Sequence, residues 1–172
     1  GTGPISVYAS RSVDMGAGSS FEVLDGYLTM EANKQTTPTA GDFIGINLNG
    51  ATIKSTGTGY VTVNGTGGDG AGSVNGYQFG VQVVNGAKVI GGDPGAVILT
   101  GNGGASSNIV NRGVSVEGAG SSISSSGGQV SVSGTGGPVR TGCGIGVSVL
   151  NGGVIRAGGS GNLTVTGTGT GS

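Results

Sequence analysis

Eight carboxylates carry most of the acid–base chemistry open to this chain: Asp14, Glu22, Asp25, Glu31, Asp42, Asp69, Asp93 and Glu117. There is no histidine, which removes a His-based triad, a His general base and a His metal site. Cys143 is the single cysteine, so neither an internal disulfide nor a cysteine-cluster zinc site can form. It reads as a small packing residue, with an intermolecular disulfide as the sharper alternative. Cleaving a glycosidic bond needs two carboxylates on one groove, or an acid with a basic partner. The acids are not distributed that way. Asp14 occupies an outward strand position whose counterparts further along are Asn47, Gln82, Ser115 and Ser148. Asp69 and Asp93 fall in loops on different sides of the predicted coil. The pattern therefore predicts no enzyme, no catalytic residue and no cofactor.

Three binding chemistries remain to be weighed. Gly67-Gly68-Asp69-Gly70 and Gly91-Gly92-Asp93 approach the glycine–aspartate Ca²⁺ nonapeptide, but neither matches it and no tandem copies occur. Turn aspartates are the expectation, with no metal. Ice binding would use flat ranks of outward threonines, and only Thr164 and Thr166 form a clean Thr-x-Thr. Threonine also suits any wet strand face. A sugar platform would use exposed aromatics. Tyr27 and Tyr60 share one column of the repeat, and Tyr77 and Phe79 follow in a loop. Cross-coil packing of the two tyrosines is the competing reading. Tyr27, Tyr60, Thr164 and Thr166 are thus the candidate ligand-facing residues.

The elements that would position these side chains are short strands. Glycine makes up 43 of the 172 residues, an excess typical of collagen, flexible linkers or repeat folds. The glycines lack collagen's strict period, and β-branched apolar residues are too plentiful and regular for a linker. Five apolar columns recur. The first is Val13, Ile46, Val81, Val114 and Val147, and the second Met15, Leu48, Val83, Val116 and Val149. The third is Phe21, Ile53, Val89, Ile123 and Ile155. The fourth is Leu28, Val61, Val97, Val130 and Leu163, and the fifth Met30, Val63, Leu99, Val132 and Val165. First-column spacings are 33, 35, 33 and 33 residues. Within each unit the apolar residues alternate with polar ones, as in strands with one buried face. One unit buries too little to fold alone, so like residues must stack on like at the ~4.8 Å strand spacing.

These observations predict an all-β fold, a parallel β-helix (β-solenoid) of about five coils, each of ~33 residues and three short strands. The usual crossover preference makes it right-handed. A β-sandwich of the same strands is the rival. Residues 1–172 form one domain, with units starting near 13, 46, 81, 114 and 147. Residues 1–12 are a cap or the remnant of a preceding coil. Asn49-Gly50, Asn85-Gly86 and Asn151-Gly152 mark one turn in three units, where left-handed backbone is needed. The glycine-rich segments 64–77 and 133–144 close the coil or bulge as loops. Seven basic against eight acidic residues give no field for nucleic acid, and no apolar run reaches the length of a membrane span. The chain starts at Gly1 without a signal-peptide pattern, so a processed product or an excised piece is expected.

The run G-V-x-V followed by I-x-x-x-G-G-x-V-x-V-x-G-T-G-G is clearest in residues 113–137 and 146–169. It resembles repeats of giant exported bacterial surface proteins, of the β-strand-repeat, autotransporter-like and filamentous-haemagglutinin-like kinds. The resemblance covers residues 13–171. It implies export, a place at the cell surface or outside the cell, and a role in adhesion or extracellular fibres. The expectation is a stiff structural rod that associates end to end or continues into further coils, with surface glycans as a further partner. The alternative is a carbohydrate- or ice-binding solenoid, and after it a polysaccharide-degrading enzyme.

Overall fold

The computed structural model describes residues 1–70, 77–105, 110–139 and 142–170. The segments 64–77 and 133–144 therefore lie partly outside the described residues. Sixteen strands form three parallel sheets, with no helix among the described residues. Sheet A contains β1 (Ile5–Ala9), β4 (Leu28–Ala32), β7 (Val61–Thr66), β10 (Val97–Asn102), β13 (Val130–Thr135) and β16 (Leu163–Thr168). Sheet B contains β2 (Val13–Met15), β5 (Ile46–Asn49), β8 (Val81–Val84), β11 (Asn111–Glu117) and β14 (Gly144–Leu150). Sheet C contains β3 (Ser20–Val23), β6 (Thr52–Ser55), β9 (Lys88–Gly91), β12 (Ser122–Ser125) and β15 (Val154–Arg156). The chain visits B, C and A in turn and then returns to B one strand higher. This is a β-solenoid.

Register follows the sequence period. Val13 pairs with Ile46, Ile46 with Val81, Val81 with Val114 and Val114 with Val147, so the first column runs in single file. The other four columns line up the same way, for example Met30–Val63–Leu99–Val132–Val165. The inner rungs bury these side chains completely or nearly so. Each is worth roughly 1.5–3 kcal/mol of transfer free energy. Every pairing between the named strands is parallel, which removes the sandwich. Five rungs enclose only four complete windings, so the coil count is nearer four full turns than five.

Two details depart from the expected pattern. Asn85 and Asn151 are left-handed, with φ of 54° and 50°, and so are Gly86 and Gly152. At the corresponding turn of the second unit only Gly50 is left-handed, with φ of 69°. That turn is one residue shorter, so Asn49 stays extended in β5 and pairs with Val84. At the N-terminus, β1 lies below β4, with Ile5 opposite Leu28 and Val7 opposite Met30. Residues 5–9 thus continue two apolar ladders and cover the first rung of sheet A.

Candidate functional site

The carboxylates are largely spent on stitching one coil to the next. Asn47 Nδ2 donates to Asp14 Oδ1 at 3.1 Å, Asn64 Nδ2 to Glu31 Oε1 at 3.2 Å, and Asn151 Nδ2 to Glu117 Oε1 at 2.9 Å. The Thr58 N–H donates to Asp25 Oδ1 at 3.0 Å, and Gln78 Nε2 to Asp42 Oδ1 at 2.6 Å. Each partner sits one winding away. A carboxylate below and an amide above fill an outward ladder without like-charge repulsion. Among the described residues no three acids or cysteines converge on a metal-sized space. Asp69 joins Ala40 in a short parallel bridge at one corner, and Asp93 lies between sheets C and A at another.

The aromatic candidates are paired. Tyr27 and Tyr60 have ring centroids 5.7 Å apart at a 55° tilt, and both are about half exposed. Their backbones are successive members of one corner column, because the Leu28 N–H bonds the Tyr60 carbonyl. Sequence reasoning placed them together and outward, and the structure does so. Tyr77 and Phe79 lie 5.3 Å apart, with the Arg112 guanidinium 5.1 Å above the Phe79 ring. Arg112 also lies 3.8 Å from Glu117 and 3.4 Å from the Ser115 hydroxyl, so it is committed to its own surroundings. Thr164 and Thr166 sit exposed on β16. Their ladders read Thr29–Thr62–Ile98–Ser131–Thr164 and Glu31–Asn64–Thr100–Ser133–Thr166, so no flat rank of threonines forms.

Two features escaped a reading built on apolar columns. The first is a pair of glycine ladders at the corner between sheets A and B. Gly65, Gly101, Gly134 and Gly167 stack in sheet A, with Ala32 in their place on the first rung. Gly45, Gly80, Gly113 and Gly146 each precede a first-column residue. A Cβ on Gly134 would overlap the Gly146 carbonyl oxygen, and one on Gly113 would lie 2.6 Å from the same atom. The backbones of the two sheets approach as closely as two glycine columns permit. The signal was present as two further columns with the same period.

The second feature is the end of the stack. On the last rung Val149, Leu163 and Val165 are 44%, 46% and 46% exposed, although their ladder-mates below are buried. Val154 and Leu150 are exposed as well, but on outward ladders, opposite Ser122 and Glu117. No strand pairs with the outer edge of β14, β15 or β16 among the described residues; only Gly144 touches Thr170 in an isolated bridge. No protein-family model, curated protein or solved structure matches the chain. The open face, the tyrosine corner and the stitched outer ladders therefore carry the functional reading.

Proposed function

We propose that this chain is a structural segment of an extracellular fibre or cell-surface adhesin. It acts as a stiff rod whose length comes from stacked coils. The observation that carries this reading is the uncovered last rung. Three apolar side chains, Val149, Leu163 and Val165, stand in line with buried ladders and face solvent beside three unpaired strand edges. Such an edge templates another strand. Two occupants complete it: further coils of the same rod, or a second copy docking end to end.

The strand order distinguishes them. A further coil would add strands in the order B, C, A directly on β14, β15 and β16. A second copy brings its own β1, a sheet-A strand, ahead of its sheet-B and sheet-C strands. Seamless stacking of copies therefore requires β1 to move aside. Parallel coils hydrogen-bonded along the axis suit a mechanical role, since pulling along the rod loads every ladder at once. Sedimentation velocity from 1 to 100 µM (roughly the range where association of about −8 kcal/mol appears) is the test. Concentration-dependent assembly, reversed by Val165→Lys, is the expected result. A single monomeric species throughout, identical for wild type and variant, rejects an adhesive end face.

A further inference from the structure

The corner between sheets C and A carries a trough that none of the packing uses. Tyr27, Tyr60, Ala96, Gln129 and Asn162 form one column along it, each just before the fourth apolar column. Tyr60 closes one end, and Gln129 and Asn162 line the other. Between them Pro94, buried Ala96 and a glycine floor at Gly127, Gly128 and Gly161 leave a depression of about 390 Å³. It runs across successive rungs, along the rod axis. No lining residue is charged.

Two observations point to a ligand rather than to a gap in packing. The first is the state of the amides. Elsewhere on the surface Asn47, Asn64, Asn85 and Asn151 each donate to the coil below, while Gln82 and Asn102 make no side-chain bond among the described residues. Gln129 and Asn162 are exposed neighbours on adjacent rungs, yet neither side chain makes a hydrogen bond among the described residues. The second is the state of the backbone. The carbonyls of Tyr27, Tyr60, Ala96, Gln129 and Asn162 accept from Ile5, Leu28, Val61, Val97 and Val130 at 2.8–2.9 Å. Between Tyr27 and Gln129 no strand edge is free, so an extended peptide lying along the trough has no backbone to pair with until the open edge of β16 at its far end. What the trough offers is an aromatic wall and donor–acceptor amides, with the Asp93 carboxylate against Gly127 as a charge beside its floor.

We infer that this corner binds a neutral, hydroxyl-rich chain, a glycan, lying along the rod axis. One sugar ring packs its C–H face on Tyr60, which Tyr27 buttresses, and its neighbours bond through their hydroxyls to Gln129 and Asn162. Amides supply both donors and acceptors, which matches hydroxyl groups. Aromatic faces with a few placed polar groups are the usual make-up of such sites. The inference is independent of how the ends of the rod are covered.

The test is affinity electrophoresis of the full chain through gels containing galactomannan, hydroxyethyl cellulose or soluble starch. Polygalacturonate serves as the charged comparison. Retardation by at least one neutral polymer, weakened at least fivefold by Tyr60→Ala and by Gln129→Ala, is expected. Tyr77→Ala, at another corner, should bind as wild type. Both test positions are exposed and bond nothing through their side chains, so the fold is retained; circular dichroism checks this. No retardation by any neutral polymer, equal retardation by polygalacturonate, or full retardation in either variant overturns the inference. So does binding of gelatin peptides in place of the polymers.

Discussion

The glycine corner gives the sharpest prediction, because one ladder contains both a closed and an open position. Gly134 and Gly167 are register partners in sheet A, and neither has a left-handed φ. Alanine is therefore acceptable to the backbone at both. Restricting the unfolded chain should by itself stabilise each variant by about 0.4–1 kcal/mol. At Gly134 the new methyl meets the Gly146 carbonyl and lies 2.8 Å from Val147 Cγ2. The obstacle is backbone of the facing sheet, held by its own ladder. Overpacking of this kind costs about 1–3 kcal/mol, and more where backbone must shift. At Gly167 the nearest heavy atom is Val147 N at 3.2 Å, with the next at 3.8 Å, so the methyl is accommodated with a small adjustment. For a chain of this length 1 kcal/mol moves the midpoint by about 2–4 °C. Thermal unfolding followed by circular dichroism should therefore show Gly134→Ala lower by about 4–8 °C and Gly167→Ala within about 2 °C of wild type. Equal shifts in the two variants, or a stabilised Gly134→Ala, would refute the claim that sheets A and B meet through their glycines.

The same logic of ladders yields further expectations. Val132 and Val165 belong to one column, but only Val132 is buried. In urea denaturation Val132→Ala should cost about 2–3 kcal/mol and Val165→Ala under about 1 kcal/mol; equal costs would mean the end rung is already covered. Buried Asn111 donates to the Gly104 carbonyl at 2.6 Å, and its Oδ1 faces the Gln78 N–H at 3.4 Å. Asn111→Ala strands these groups and should cost about 1–3 kcal/mol by the same measurement. Asn47→Ala, on an exposed stitch, should stay within about 0.5 kcal/mol. Removing residues 1–9 uncovers Leu28 and Met30 and takes away the strand that interrupts end-to-end stacking. Sedimentation should then show larger assemblies than the full chain forms, and smaller ones would count against stacking of copies.

Much of this architecture was legible in the residues alone. A solenoid repeats one local rule, so an apolar residue in one unit announces its neighbours a winding away. Val13, Ile46, Val81, Val114 and Val147 could be placed in single file from spacing, and the pairing of Tyr27 with Tyr60 followed from the same period. Strand alternation and the absence of any helical stripe settled the class. The coil count, the extended Asn49 and the pairing of Asp14, Glu31 and Glu117 with asparagines one winding away required coordinates. They depend on how far each corner bends, and corner angles are set where three sheets meet. Exposure at the last rung was likewise invisible. Val165 carries the same pattern as Val132, and only the lack of a strand above it leaves it wet. The glycine columns were periodic in the sequence, yet glycine has no side chain to suggest a partner. That two backbones need the missing Cβ to come together is a property of the folded corner, decided when sheets A and B close upon each other.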